Sequence, residues 1–247
     1  MVYFKVSAIA IAAFFAQSVL ATPSPSVDAN VTYVKRAASC TFPKPPKTSS
    51  LSAPMIVKGT FDGNNVRYDR GGRACSAQKE GGNKDAVFLL ENGATLKYER
   101  RYWANQAEGV HCQGSCNIYN VWFEDVCEDA ITLRQTSGTT NIVGGGAKNA
   151  EDKVIQHNGG GVVNIDSYCV EDFGKLYRAC GNCKTHNVIA KNGKLLAGIN
   201  SNYGDVATIK SSSVTNVKSM CDTFQGNNNG NEPPKLTSNK SNANRKF

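Results

Sequence analysis

Four stretches of this 247-residue chain carry side chains whose types and order could do chemistry. They are AEGVHCQGSC (107–116), VWFEDVCEDA (121–130), GGGAKNAEDKVIQHNGGG (144–161) and VEDFGKLYRACGNC (170–183). Read in order, they pass from carboxylates, at Glu108, Glu128 and Asp129, to cations, at Lys153, Lys175 and Arg178. Carboxylates grouped in this way serve as ligands of a hard cation, or as the acid and base of a hydrolytic pair. Lysine and arginine grip an anionic partner, arginine in a two-pronged fashion. From Glu108 to Glu128, Glu128 to Lys153 and Lys153 to Lys175 the steps are 20, 25 and 22 residues.

Those steps match a period that runs through the chain. Short β-prone segments return as GATLKY (93–98), CNIYNVWF (116–123), TTNIVGG (139–145), VVNIDSY (162–168), THNVIAKN (185–192) and SSVTNVKS (212–219). With Leu96, Ile118, Ile142, Ile165, Val188 and Val214 taken as equivalent, the intervals are 22, 24, 23, 23 and 26. A period in the twenties built from short strands and Gly or Asn turns predicts a solenoid. There is neither a leucine ladder nor a long helical periodicity, so leucine-rich repeats do not fit. Sandwich strands recur at roughly 8 to 12 residues. The expectation is an all-β, right-handed parallel β-helix. Residues one coil apart then stack at roughly 4.8 Å, which brings Glu108, Glu128 and Asp129 beside Lys153, Lys175 and Arg178 on successive coils.

The ends of the chain carry different signals. Residues 1–21, with Lys5, the apolar run VSAIAIAAFFA and small residues closing at Ala21, read as a secretory signal, too short to span a membrane. A Thr/Pro/Ser-rich piece then leads to Lys35-Arg36, so 22–36 reads as a removable pro-segment. Residues 37–225 form one solenoid domain, and the polar, breaker-rich 226–247 reads as a loosely ordered tail. Nine cysteines suit an oxidising, extracellular destination, which favours disulfides over zinc for Cys112/Cys116 and Cys180/Cys183; the odd count leaves one thiol over. The net charge of +8 suits anionic partners. No aromatic-interleaved basic patch or nucleic-acid motif points to DNA or RNA.

GVHCQGSC, VWFEDVCEDA, KVIQHNGGG and DFGKLYRACGNC, with AVFLLENGATLK (86–97) and GINSNYGDVATI (198–209), resemble the pectate lyases of polysaccharide lyase family 3 over most of residues 52–235. The resemblance implies a parallel β-helix and calcium-dependent β-elimination of polygalacturonate, the de-esterified part of pectin, by a monomer. It places Glu108, where the family has an aspartate, with Glu128 and Asp129 as calcium ligands. It assigns Lys153, Lys175 and Arg178 to the functional cations, and Asp85 to an assisting acidic residue. In YERRYWANQ (98–106) the sequence departs from the family's apolar coil; Glu99, Arg100 and Arg101 cannot all enter a dry core, so an outward bulge is expected there.

β-Elimination removes the proton at C5, beside a carboxylate, and expels the glycosidic oxygen at O4. A hard cation offsets the charge that develops on that carboxylate. The base must be a cationic residue found neutral at reaction. Lysine starts near pKa 10.4, and neighbouring positive charge would lower it. Lys153 is therefore read as the base with Arg178 as the alternative, Lys175 and Arg178 as carboxylate clamps, and alkaline pH as the optimum. Two other readings use the same surface. One is a glycoside hydrolase pairing Glu128 with Glu151 or Asp152; the other is a non-catalytic, wall-binding protein.

Overall fold

β-Branched and aromatic residues recurring once per coil can bury one edge only by stacking on the coils before and after. In the computed structural model, which describes residues 37–71, 80–98, 100–101, 108–179, 182–229 and 231–247, they do so. The unit Lys35–Phe247 is a parallel β-solenoid of about seven turns. Its strands pair in parallel throughout the coils; among the described residues the antiparallel strand pairing is between Ser213–Phe224 and Lys235–Ser238, beside an isolated antiparallel bridge of Asn242 with Arg245. Among the described residues helix is confined to two short 3-10 turns, Asn83–Asp85 and Ser201–Tyr203. Among the described residues no helix is long and apolar enough to cross a membrane. The proposed signal (1–21) and pro-segment (22–36) lie outside the described residues.

Each coil contributes to three faces. The first stacks Phe88–Leu90, Glu108–Cys112, Asp129–Leu133, the end of Thr139–His157, and the end of Cys169–Ala179. The second stacks Thr95–Lys97, the start of Asn117–Phe123, the start of Thr139–His157, Val162–Asp166, Asn182–His186 and Ala207–Lys210. The third carries the remaining halves of the long strands, with Arg100–Arg101 against Trp122 and Phe123. The suspect coil thus keeps parallel backbone pairing at 100–101; Glu99 and 102–107 lie outside the described residues.

Inside runs an unbroken apolar ladder, Phe61, Leu96, Ile118, Ile142 and Ile165, with the last four fully buried or nearly so. The register continues through Thr185 and Ile209, not through Val188 and Val214. That part of the expected equivalence is corrected. Val188 immediately precedes Ile189–Asn200 and is buried at the corner between two faces, because the coil that starts at Ile165 is shorter than the mean period.

The C-terminal end and the cysteines complete the frame. The segment read as a loose tail is docked: Lys235–Ser238 pairs with the last long strand, and the wholly buried Arg245 donates from Nη1 to the Cys221 carbonyl at 3.1 Å. It covers the open end of a stack that would otherwise expose its core, as solenoid caps do. Cys40 is bonded to Cys169 across 129 residues and Cys112 to Cys116. Cys127 is also disulfide-bonded, and Cys221 is the free, buried thiol among the described residues. Cys75 and Cys180 lie outside the described residues.

Candidate functional site

The first face has a charged leading edge. Backbone register pairs Glu108 with Asp129, Asp129 with Lys153, and Lys153 with Lys175. The acid-to-cation order read along the chain is therefore an order along the solenoid axis. Two glycines make the stack tight. A β-carbon at Gly109 would lie 1.7 Å from the Ala130 carbonyl oxygen, and one at Gly174 2.3 Å from that of Asp152. Side chains cannot be accommodated directly after Glu108 or directly before Lys175 without opening the coils.

Lys153 is the hub. Its Nζ donates to Asp152 Oδ2 at 2.7 Å and Glu128 Oε1 at 3.0 Å, and lies 3.5 Å from Asp129 Oδ1. Lys175 Nζ pairs with the other oxygen of Asp152. Asp152, named in the sequence only as a hydrolase alternative, bridges the two lysines. Burial alone would raise the pKa of its carboxyl, but the hydrogen bonds and charges of Lys153 and Lys175 hold it below the ordinary value.

Lys153 itself departs from the expected electrostatics. Burial pushes its pKa down, but the charge of Asp129, the hydrogen bond to Asp152 and the charge of Glu128 more than offset this and hold it well above that of free lysine. The expected depression by neighbouring cations is corrected for this arrangement: the groups around its ammonium are anions. Arg178 is fixed elsewhere, with Nη1 donating to Asn200 Oδ1 and the Ala179 carbonyl, both at 2.9 Å, and its guanidinium 4.1 Å from the Phe224 ring centroid. Stacking and a hydrogen bond pre-orient the fork of donors on Arg178.

The carboxylates divide into two groups. Glu128 and Asp129 come together with Glu80, each offering one oxygen within 4.8 Å of the others. Asp129 is fully buried at its side chain, and neither of its oxygens, nor Glu128 Oε2, receives a hydrogen bond. Burial pushes the Asp129 carboxyl well up; Lys153 opposes this, while Glu128 and Glu108 add to it. Unsatisfied buried carboxylate oxygens are costly, and a hard cation with a preference for oxygen ligands satisfies them. Glu128 and Asp129 therefore fit a hard metal cation. Glu80 was missed in the sequence, where it sits in a Gly-rich run with no periodic signal.

Glu108 stands apart from that trio. Its Oε1 accepts the Gly81 N–H at 2.6 Å and its Oε2 lies 3.0 Å from His111 Nε2. His111 Nδ1 is in turn 3.0 Å from Asn83 Oδ1. Asp85, read as an assisting acid, accepts the Gly82 N–H at 2.8 Å and closes the Asn83–Asp85 turn. In this geometry Glu108, His111 and Asp85 hold the 80–85 segment that carries Glu80 over the face.

Comparison with known proteins adds the following. Residues 39–231 match the family model described as Pectate lyase. The chain is 55% identical over 214 residues to a probable pectate lyase E of Neosartorya fischeri, covering 82% of this chain and 83% of the relative. It is 51% identical over 214 residues to pectate lyase E of Emericella nidulans, covering 83% of each. The crystal structure of pectate lyase PelI from Erwinia chrysanthemi in complex with tetragalacturonic acid superposes with a TM-score of 0.61 at 30% identity, covering 82% of this chain and 67% of that one.

Proposed function

The chain belongs to the pectate lyase family, and from that membership we propose that it is a secreted, calcium-dependent enzyme that cleaves polygalacturonate by β-elimination with Lys153 as the base. The observation that carries the reading is the axial row Glu108, Asp129, Lys153, Lys175, with the unsatisfied oxygens of Asp129 at its acidic end. The site is a row that an extended polyanion can follow, with a metal-fitting end and a cationic end. Secretion rests on the signal-like residues 1–21 and on the disulfides, which persist in oxidising compartments.

Glu128 and Asp129, with Glu80 beside them, would hold the calcium ion. Bound there, calcium supplies positive charge to the substrate carboxylate next to C5, stabilising the charge that builds when the proton leaves. Lys175 and Arg178 offer further cationic contacts, Lys175 as a point charge and Arg178 as a pre-oriented fork. Lys153 must lose its proton to act. With Glu128 and Asp129 committed as ligands, it keeps Asp152 alone of its three anions, and its proton is released more readily. Arg178 is the weaker base because a guanidinium does not deprotonate in proteins. Asp152 is held by two lysines and is not free to pair with Glu128 as a hydrolytic acid or base.

The test is the ultraviolet absorbance of polygalacturonate incubated with the purified protein, first with calcium and then with chelator. A calcium-dependent rise from the unsaturated product, largest at alkaline pH, is expected. Release of reducing ends without that absorbance, or a rise indifferent to chelator, would overturn the proposal.

A further inference from the structure

The second face carries a cleft of about 660 Å³ that lies off the row just described, within the size range of ligand sites. Two rows of residues line it. One runs Asn141, Asn164, Lys184, Thr208 and Lys246, each paired in backbone register with the next. The other runs Val143, Asp166, His186 and Lys210. Residues two apart on a strand share a face, so Lys210 stands beside Thr208 and His186 beside Lys184. Lys184 and Lys246, two rungs apart, are separated by roughly 10 Å along the axis.

The lysines are exposed, and none has a carboxylate at ion-pair distance among the described residues. Among the described residues the one carboxylate lining the cleft, Asp166, is already engaged by the Ser167 hydroxyl at 2.8 Å and by His186 at 3.5 Å. The cleft thus has uncompensated positive charge on three rungs, with the Thr208 side chain on the middle one and the amides of Asn164 and Asn141 on the two rungs before Lys184.

We propose that this cleft is a second, non-catalytic binding site for an anionic polysaccharide, a stretch of polyuronate that anchors the protein to insoluble substrate while the first face works. Charge complementarity and a rung-by-rung polar lining parallel to the axis argue for an extended polyanion over a compact ligand. The proposal rests on the reading of polyuronate as substrate, and its test separates the two. Binding to insoluble polygalacturonate is measured by sedimentation in chelator, where turnover is silent. Turnover is measured separately on a short soluble oligogalacturonate.

Replacing Lys184, Lys210 and Lys246 together by Gln should weaken sedimentation about tenfold at low salt, equivalent to about 1.4 kcal/mol, and leave oligomer turnover unchanged. The triple Arg variant should bind as the parent does. The parent's affinity should fall with added salt and be small for fully methyl-esterified pectin. Unchanged sedimentation of the Gln variant would overturn the proposal, as would an equal loss of oligomer turnover. So would a parent protein that sediments with DNA and not with polygalacturonate. Absence of turnover in parent and variant alike, with the binding difference intact, would overturn the lyase reading and leave the cleft standing.

Discussion

Two rows of polar residues climb the same solenoid and are built on opposite principles. On the second face, Asn141 Nδ2 donates to Asn117 Oδ1 at 2.9 Å and Asn164 Nδ2 to Asn141 Oδ1 at 3.0 Å, so each amide satisfies the next. On the first face, Asp129 is buried with both oxygens lacking hydrogen bonds, and Lys153 is shared among three carboxylates. A ladder of like amides is self-sufficient and contributes to stability; such hydrogen bonds are worth about 1 kcal/mol each. A row that passes from acids to cations along the axis is not, and buried charge of this kind contributes little to stability. Identical backbone geometry thus supports a row that is complete and a row that is not, and the difference is in whether the polar groups finish their bonding within the fold.

That contrast can be broken at several points. Lys153→Ala should lower turnover of polygalacturonate by about 10²- to 10⁴-fold, the range for loss of a general base, read from initial rates at saturating calcium. Lys175→Ala should chiefly raise KM, and an equal fall in kcat from both variants would remove the distinction between base and clamp. Asp129→Asn should reduce activity at least about 100-fold through lost metal, with the melting temperature of the chelated protein little changed, because burial already disfavours the charged form of this carboxyl. A lower melting temperature in chelator would show that Asp129 is a structural partner of Lys153 first.

The buried His157 offers a stability test that leaves the charged row intact. Burial pushes its imidazole down to about 4, against two weaker backbone hydrogen bonds, and its Nδ1 lies 2.8 Å from the Tyr177 hydroxyl. A depressed histidine gives stability that is present above its ordinary value of 6.5 and lost as pH falls through about 4. The loss should approach about 3 kcal/mol, and chemical denaturation from pH 7 to pH 4 should show this part of the slope missing in His157→Gln. Smallest is Asn141→Ala, which removes one amide bond and orphans another at a cost of about 1 to 3 kcal/mol. Its kcat/KM on a short oligogalacturonate should be unchanged, since the amide ladder lies on the other face.

The axial order of the charged positions is legible in the sequence because a solenoid translates chain interval into axial distance. Intervals near the coil length placed Glu108, Asp129, Lys153 and Lys175 on neighbouring rungs before any coordinates, and the backbone register agrees. The same logic slipped at Val188 and Val214, where coil lengths change and apolar corner residues imitate the ladder. Glu80 escaped because Gly-rich connections have no period. The docked tail escaped because its hydrogen bonds to the last coil come from polar residues, which composition assigns to solvent.

By itself, the sequence determined that the chain is a β-solenoid, how far apart its charged groups lie along the axis, and which family its motifs resemble, because these follow from periodicity and residue type. Only the tertiary structure decided how each charge is spent. It turned Glu108 toward Gly81 and His111, put Asp152 between two lysines, and left the oxygens of Asp129 without hydrogen bonds. Those outcomes depend on side-chain direction and desolvation at a few ångströms, which no interval along the chain encodes.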